Sequence, residues 1–398
     1  MKGFRNMVDF YKINRYVFKK ISGKKSLVSG DSYTIQKEIL DEVYKRNFKN
    51  DYFVRSYCQY LCQKKLYNQN YIFLNIISLV CILIILLFSI FLKARKIEKE
   101  DMDYVVFGVM NKIPDEFMEY KLIGNTNKIS FKSIDIIFYL KEVFFKCKGN
   151  FFFSLKILLK IGIYRYNIDR YKPKGMLVTS EYSYTSSILT LFCEKNGVLH
   201  INYMHGEKIY EIVTSFFKFH KCYIWDEHYK NLFKKLYADP DQFIICDYKN
   251  ILFREIKEIK WESREEKNIT YYLQAEETRE DVEKVIKILK FLENKTGLKG
   301  KIRCHPIYTS EKIKELINND MLDNEKNVYS SLIKSKYIIA KNSTVLYEGT
   351  FFKEKIIVVD NIGRNYSKFL EMRNLDWIVL KKDIKTLSSL LLEVEYND

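Results

Sequence analysis

Proline and glycine are scarce in this 398-residue chain, at 4 and 14 residues, and histidine occurs only 5 times. Several catalytic signatures are missing altogether. There is no G-x-x-x-x-G-K-[ST] loop to cradle phosphates, which removes a P-loop NTPase. There is no G-x-S-x-G, which removes the nucleophile elbow of an α/β-hydrolase. The 8 cysteines contain no C-x-x-C pair, so their spacing draws neither a disulfide framework nor a zinc site. Cys58 and Cys62 sit as on one helix face and Cys81 lies in an apolar run, so reduced, buried thiols in a cytosolic environment are expected. The basic start is not followed by an apolar h-region, so no secretory signal is read there.

Positive charge is what the chain has in excess: 67 Lys and Arg against 50 Asp and Glu, a formal +17. Part of this follows from a composition rich in Lys, Asn, Ile and Tyr and poor in Ala, Gly and Pro, as AT-rich coding produces. The remainder is positional. Lys19-Lys20, Lys24-Lys25, Lys45-Arg46 and Lys64-Lys65 cluster near the N-terminus, among aromatic residues such as Phe10, Tyr16, Phe53 and Tyr60. Such a surface suits anionic lipid or a polyanionic substrate. Nucleic acid is not among the expected partners.

The segment 71–92, YIFLNIISLVCILIILLFSIFL, carries no charge. At about 1.5 Å per residue it reaches roughly the 30 Å of a bilayer core, so it reads as a membrane segment, closed by the basic Lys93-Ala94-Arg95-Lys96. Both flanks are basic, so the positive-inside rule does not orient it. A simple span would separate the basic N-terminal arm from catalytic domains on the cytoplasmic side. That conflict favours an in-plane or re-entrant segment, or a weakly obeyed charge rule. Phe131 to Tyr166 mixes lysines with large apolar residues at helical spacing, which fits an interfacial surface and an ordinary helix pair equally.

Beyond Asp101 strands and helices alternate. Tyr104 to Gly108 reads as a first strand, and from Gly175 the runs GMLVTSE, VLHINYMHGE, KCYIWD and QFIICD read as strands separated by helices. After a charged connecting stretch, Arg254 to Lys267, the pattern restarts with NITYYLQ, a long amphipathic helix stopped by Gly297, GKIRCHP, YIIAKN and KIIVVDN. A closing helix is expected over Ile384 to Glu395. The expected fold class is α/β: two Rossmann-like domains, preceded by a helical membrane-associated N-terminal region. The expected boundaries are 1–98 for that region, 99–255 for the first Rossmann-like domain and 256–398 for the second.

Polar residues at strand ends are the candidates for chemistry, because open α/β sheets take anionic ligands there. His305-Pro306 follows a strand directly, Pro306 holds the histidine extended, and Arg303 lies on the same strand face, so Arg303, His305 and Pro306 are candidates for binding the donor nucleotide's phosphate, with a turn-forming His-Pro as the alternative. Asn342, Ser343 and Thr344 follow another strand and open a helix; their hydroxyls and N–H groups offer an anion site or a simple cap. Glu348, a turn further on, could accept from ribose hydroxyls. His205 ends a strand in the first domain, with Gly206 permitting close approach and Glu207 next to it. His205, Glu207 and Glu181 are therefore candidate general bases, with Asp226 as a fallback. Two D-x-D pairs, Asp101 with Asp103 and Asp239 with Asp241, have metal-binding spacing but do not follow an apolar strand, so no metal is expected.

H-G near the middle, then R-x-H-P, then Ser-Thr before a Glu-bearing helix: this order resembles the GT-B glycosyltransferases of bacterial surface polysaccharides. The nearest groups are the CMP-sugar enzymes with an H-P motif (sialyl-, polysialyl- and capsule-linker transferases) and the CDP-glycerol glycerophosphotransferases. The resemblance covers roughly Gly175 to Asp360. It implies that His305, Ser343 and Thr344 hold the donor nucleotide's phosphate, and that His205 is a base or phosphate ligand. The acidic-acidic-Gly base motif of the polysialyltransferases is absent. The implied activity is transfer of a sugar from a CMP- or UDP-type donor to a polysaccharide or lipid-linked acceptor at the cell membrane, without metal or cofactor. Alditol-phosphate transfer from a CDP donor is the alternative, and a non-catalytic membrane scaffold is a third.

Overall fold

The computed structural model describes residues 26–27, 33–91, 98–256, 268–274, 277–306, 309–341, 343–352, 355–360 and 378–380. The expected closing helix, Asn342, the basic pairs at 19–20 and 24–25, and most of the charged connecting stretch lie outside the described residues. Two compact units are present: Met1–His205 with Tyr210–Tyr248, and Gly206–Ile209 with Lys249–Asp398.

The first unit begins with Ser26–Leu27 (β1), which pairs antiparallel with Tyr67–Asn68 (β2). Between them lie helices Tyr33–Asn47 (α1) and Tyr52–Leu66 (α2), and Tyr71–Phe91 (α3) follows. Asp51 starts α2 by accepting from the Val54 N–H. α2 is not an appendage. Ile188 N–H donates to Ser56 Oγ at 3.0 Å, and Gln59 Nε2 donates to the carbonyls of Glu181 and Val213 at 2.8 and 2.7 Å. Arg55, buried, donates to the Tyr237 carbonyl and sits 3.4 Å from Asp239. These contacts place the helices of the expected 1–98 region in the same unit as the first large sheet. The physical reason is that α2 is buried on most of its surface, its apolar Phe53, Cys58, Tyr60 and Cys62 packed and its polar Arg55, Ser56 and Gln59 satisfied by hydrogen bonds.

That sheet is built from Tyr104–Phe107 (β3), Leu122–Gly124 (β4), Gly175–Val178 (β5), Leu199–Tyr203 (β6), Lys221–Ile224 (β7) and Phe243–Ile245 (β8). All pairings are parallel, in the order β4-β3-β5-β6-β7-β8. Runs such as YVVF and GMLV are apolar on both faces, as strands covered on both sides must be. Ser133–Tyr139 (α4) continues into a π-helix, Leu140–Phe144, before Phe151–Tyr171 (α5). Ser186–Glu194 (α6), Glu227–Lys235 (α7) and Tyr248–Ile256 (α8) complete the helices, the last leading into the second unit.

The second unit alternates Asn268–Tyr272 (β9), Arg279–Thr296 (α9), Lys299–Arg303 (β10), Glu311–Lys314 (α10), Val328–Lys334 (α11), Ser335–Ala340 (β11), Thr344–Gly349 (α12), Ile356–Asp360 (β12) and Ile378–Leu380 (β13). The sheet is again all parallel, in the order β10-β9-β11-β12-β13. A capping box between Thr278 and Asp281 starts α9, and Gly297 ends it at φ 69°. Strand periodicity sorts the core. Ile269, Tyr271, Tyr337 and Ile339 pack on Val282, Ile288 and Leu289 of α9. Tyr272, Ile338 and Ala340 pack on Leu252 of α8, Leu332 of α11 and Leu346 of α12. The expected mixed α/β class with parallel sheets is therefore present in both units.

Candidate functional site

Both large sheets are wound alike. Counting strands within each large sheet, both run 2-1-3-4-5, and the first continues to a sixth strand. The winding reverses between the first and third strands, and in open parallel sheets the loops leaving such neighbouring strands diverge to opposite faces. Ligands of such sheets bind there. In the second unit this place lies between the ends of β9 and β11, beside the end of β10.

Ser343 and Thr344 follow β11. Ser343 is extended, at φ −93° and ψ 148°, and its Oγ accepts from the Val345 N–H. α12 is only 6 residues long, and Leu346, Tyr347 and Glu348 are buried, so packing rather than helix length orders it. The backbone N–H of Glu207 donates to Thr344 Oγ1 at 3.0 Å. A Cβ added at Gly206 would lie 3.1 Å from the same oxygen, so a larger residue there would press on the Thr344 hydroxyl. Gly206–Ile209 groups with the second unit, so this contact is internal to it. A hydroxyl that accepts one N–H keeps its own O–H to donate.

His305 lies just past β10. Its N–H donates to Thr309 Oγ1 at 2.8 Å, and the Thr309 N–H returns to the His305 carbonyl at 3.2 Å; Pro306 is exposed. The imidazole is half-buried, and burial lowers its pKa below the usual value, favouring the neutral ring. Arg303 is engaged elsewhere. Its Nη1 lies 3.0 Å from Asp323 Oδ2 and 3.1 Å from the Glu325 carbonyl, and Ser331 Oγ donates to the same Asp323 oxygen.

A cluster that sequence reasoning missed lies at the reversal itself. Lys341, the residue after β11, is buried and bonded to Glu277 Oε2 and, at 3.2 Å, to Asp281 Oδ1. Burial would raise the Asp281 carboxyl, but hydrogen bonds from Thr278 and the Lys341 charge outweigh it and bring it down to about 2. A lysine directly after the apolar run SKYIIA is the only local signal for this cluster, since Glu277 comes from a distant loop.

In the first unit, Glu181 follows β5 and its side chain is fully buried. Asp226 caps α7 by accepting from the Tyr229 N–H at 3.3 Å. His205 is partly buried at the end of the loop after β6. The Tyr203 hydroxyl donates to the Val109 carbonyl at 2.9 Å, closing the loop after β3 over that strand end. One aspartate of each D-x-D pair is held by ion pairs. Asp103 bonds Lys174 at 2.8 Å and accepts from the Lys121 N–H, and Asp239 holds Arg55 and Lys218 while accepting from the Asp241 N–H. Among the described residues, no group of three or more His, Cys, Asp or Glu is placed to hold a metal ion.

No family model matches the chain, and no curated protein matches it significantly. Among solved structures it is similar to a UDP-N-acetylglucosamine 2-epimerase from Rickettsia bellii, at 10% identity and a TM-score of 0.46, over 72% of this chain and 88% of that one. It is similar to a variant of the wall teichoic acid polymerase TagF at 12% identity and a TM-score of 0.40, over 74% and 80%. The glycotransferase of kitacinnamycin matches at 10% identity and a TM-score of 0.38, over 69% and 78%.

Proposed function

We propose that this chain is a membrane-associated, metal-independent inverting glycosyltransferase. It moves a sugar from a CMP- or UDP-type donor to a cell-surface polysaccharide or lipid-linked acceptor on the cytoplasmic side of the cell membrane. The observation that carries the reading is the Glu207 N–H to Thr344 Oγ1 contact, which sets the Gly206-Glu207 part of the H-G motif against the Ser-Thr motif. His305-Pro306 follows β10 of the same parallel sheet whose β11 precedes the Ser-Thr motif.

In this reading the Thr344 O–H, the Ser343 hydroxyl and the neutral His305 ring donate to the donor's phosphate oxygens, with Glu348 on the ribose side. The acceptor oxygen attacks the anomeric carbon and the bond from that carbon to the phosphate oxygen breaks. The nucleotide leaves with the electron pair, stabilised by those donors. The acceptor proton goes to His205 or Glu207, which are only partly buried, rather than to the enclosed Glu181. Arg303, through Asp323, positions the end of β10.

His305→Ala tests the assignment: transfer from the correct donor should fall at least 100-fold with the fold retained. Near-normal transfer would sink it. Attack at phosphorus in the same pocket would give alditol-phosphate transfer instead, and a phosphodiester in the product identifies that outcome.

A further inference from the structure

α3 is long and apolar enough to cross a membrane, yet its flanks decide how it lies. The helix before it, α2, and the strands after it belong to one folded body. Arg55, Ser56 and Gln59 bond to residues between Glu181 and Asp239. A crossing helix would leave those flanks on opposite sides of a core about 30 Å thick. Residues 92–97, even fully extended, reach only about 20 Å and could not bring the chain back.

α3 also packs against the 21-residue α5. At the start, the Phe152 N–H donates to Asn75 Oδ1 at 2.9 Å. Further along the chain, the Glu100 and Met102 N–H groups donate to the carbonyls of Arg170 and Tyr171 at the other end of α5, at 2.9 and 3.1 Å. α3 therefore lies lengthwise along α5, with Leu74, Ser78 and Ile82 fully buried on one stripe.

The other side of α3 is open. Ile72, Ile76, Val80, Leu83, Leu87 and Phe88 are exposed, and at about 100° per residue they fall within one half of the helix. α4 touches α3 and extends this surface. Ile134, Ile137 and Phe145 are 61%, 58% and 77% exposed. Interspersed with them are exposed Lys132, Lys141, Lys146 and Lys148, against only Asp135 and Glu142 in the same stretch; Lys146 pairs with Glu142, Lys132 with Asp169, and Asp135 is buried against Arg165.

We propose that this face of the first unit inserts into a single leaflet of a membrane rich in anionic lipid, with α3 in the membrane plane and never spanning. Large apolar side chains enter the acyl boundary while the lysines meet lipid phosphates. A second copy is the poorer occupant, since a self-complementary pair would bring two lysine rims together. The inference deepens the membrane part of the proposed function and does not depend on the transfer chemistry.

Two measurements on the full chain test it. With cysteines placed by Lys37→Cys, before α3, and Asp101→Cys, after it, an impermeant thiol reagent should label both from the same side of oriented membranes. Labelling from opposite sides overturns the proposal. In flotation with vesicles of phosphatidylglycerol or phosphatidylcholine, binding should favour phosphatidylglycerol, and Ile137→Asp with Phe145→Asp should weaken it at least tenfold with unchanged circular dichroism. Unaltered binding, or loss of a solution dimer instead of vesicle binding, overturns it. Nucleotide binding, read on the same samples, stays intact if only this face is misassigned and is absent if the transferase reading fails.

Discussion

The Glu207 N–H and Thr344 Oγ1 are 3.0 Å apart although 137 positions separate the residues. Thr344→Val removes both the acceptor for that N–H and the hydroxyl donor proposed for the phosphate. Affinity for a cytidine or uridine diphosphate compound, measured by calorimetric titration, is expected to fall at least tenfold. Stability should fall by only about 1 kcal/mol, the scale of one hydrogen bond. Thr344→Ser keeps both functions of the hydroxyl and should bind nearly as wild type.

The Lys341 cluster is expected to behave as a buried ion pair. Its Nζ faces Glu277 and Asp281, and the Lys341 and Glu277 side chains are 8% and 5% exposed. Lys341→Met leaves two carboxylates without their cation and should destabilise by about 3–5 kcal/mol in urea unfolding. Lys341→Met with Glu277→Gln should recover part of that loss. A single variant as stable as wild type would show that the pair does not form.

His200 gives a pH prediction. It is fully buried, with Nδ1 2.7 Å from Thr190 Oγ1 and Nε2 3.0 Å from the Tyr164 hydroxyl. Burial, aided by His220 and Lys160, lowers its pKa to about 3. Between about 6.5 and 3 the unfolded chain therefore binds a proton that the folded chain refuses, so this stability is present above 6.5 and is lost as pH falls. The loss approaches about 1.4 kcal/mol per pH unit. Denaturation from pH 7 to 5 should show His200→Gln with a shallower decline than wild type; parallel declines contradict the assignment.

Periodicity made much of the fold legible. The strands at Gly175–Val178, Lys221–Ile224 and Asn268–Tyr272 are apolar runs bounded by turn residues, and the Gly297 stop ends α9 as expected. What escaped reading depends on distance along the chain. β4 is only 3 residues long and has no apolar alternation to mark it. Composition set residues 1–98 apart as a basic region, whereas Arg55, Ser56 and Gln59 bind groups over a hundred positions away. At the site, the same limit hid Glu277 and Asp323, whose partners Lys341 and Arg303 lie 64 and 20 positions away. The ion-pair partners of Asp103 and Asp239 likewise could not be named from sequence.

The most direct test of the account is a nucleotide titration by thermal shift in detergent, using CMP, CDP and UDP compounds with wild type, His305→Ala and Thr344→Val. Binding of the native state raises the apparent melting temperature. At least one compound should stabilise the wild type, and both variants should lose most of that shift while melting within a few degrees of wild type without ligand. No shift with any compound, or equal shifts in all three proteins, would contradict a donor-phosphate site at His305 and Thr344.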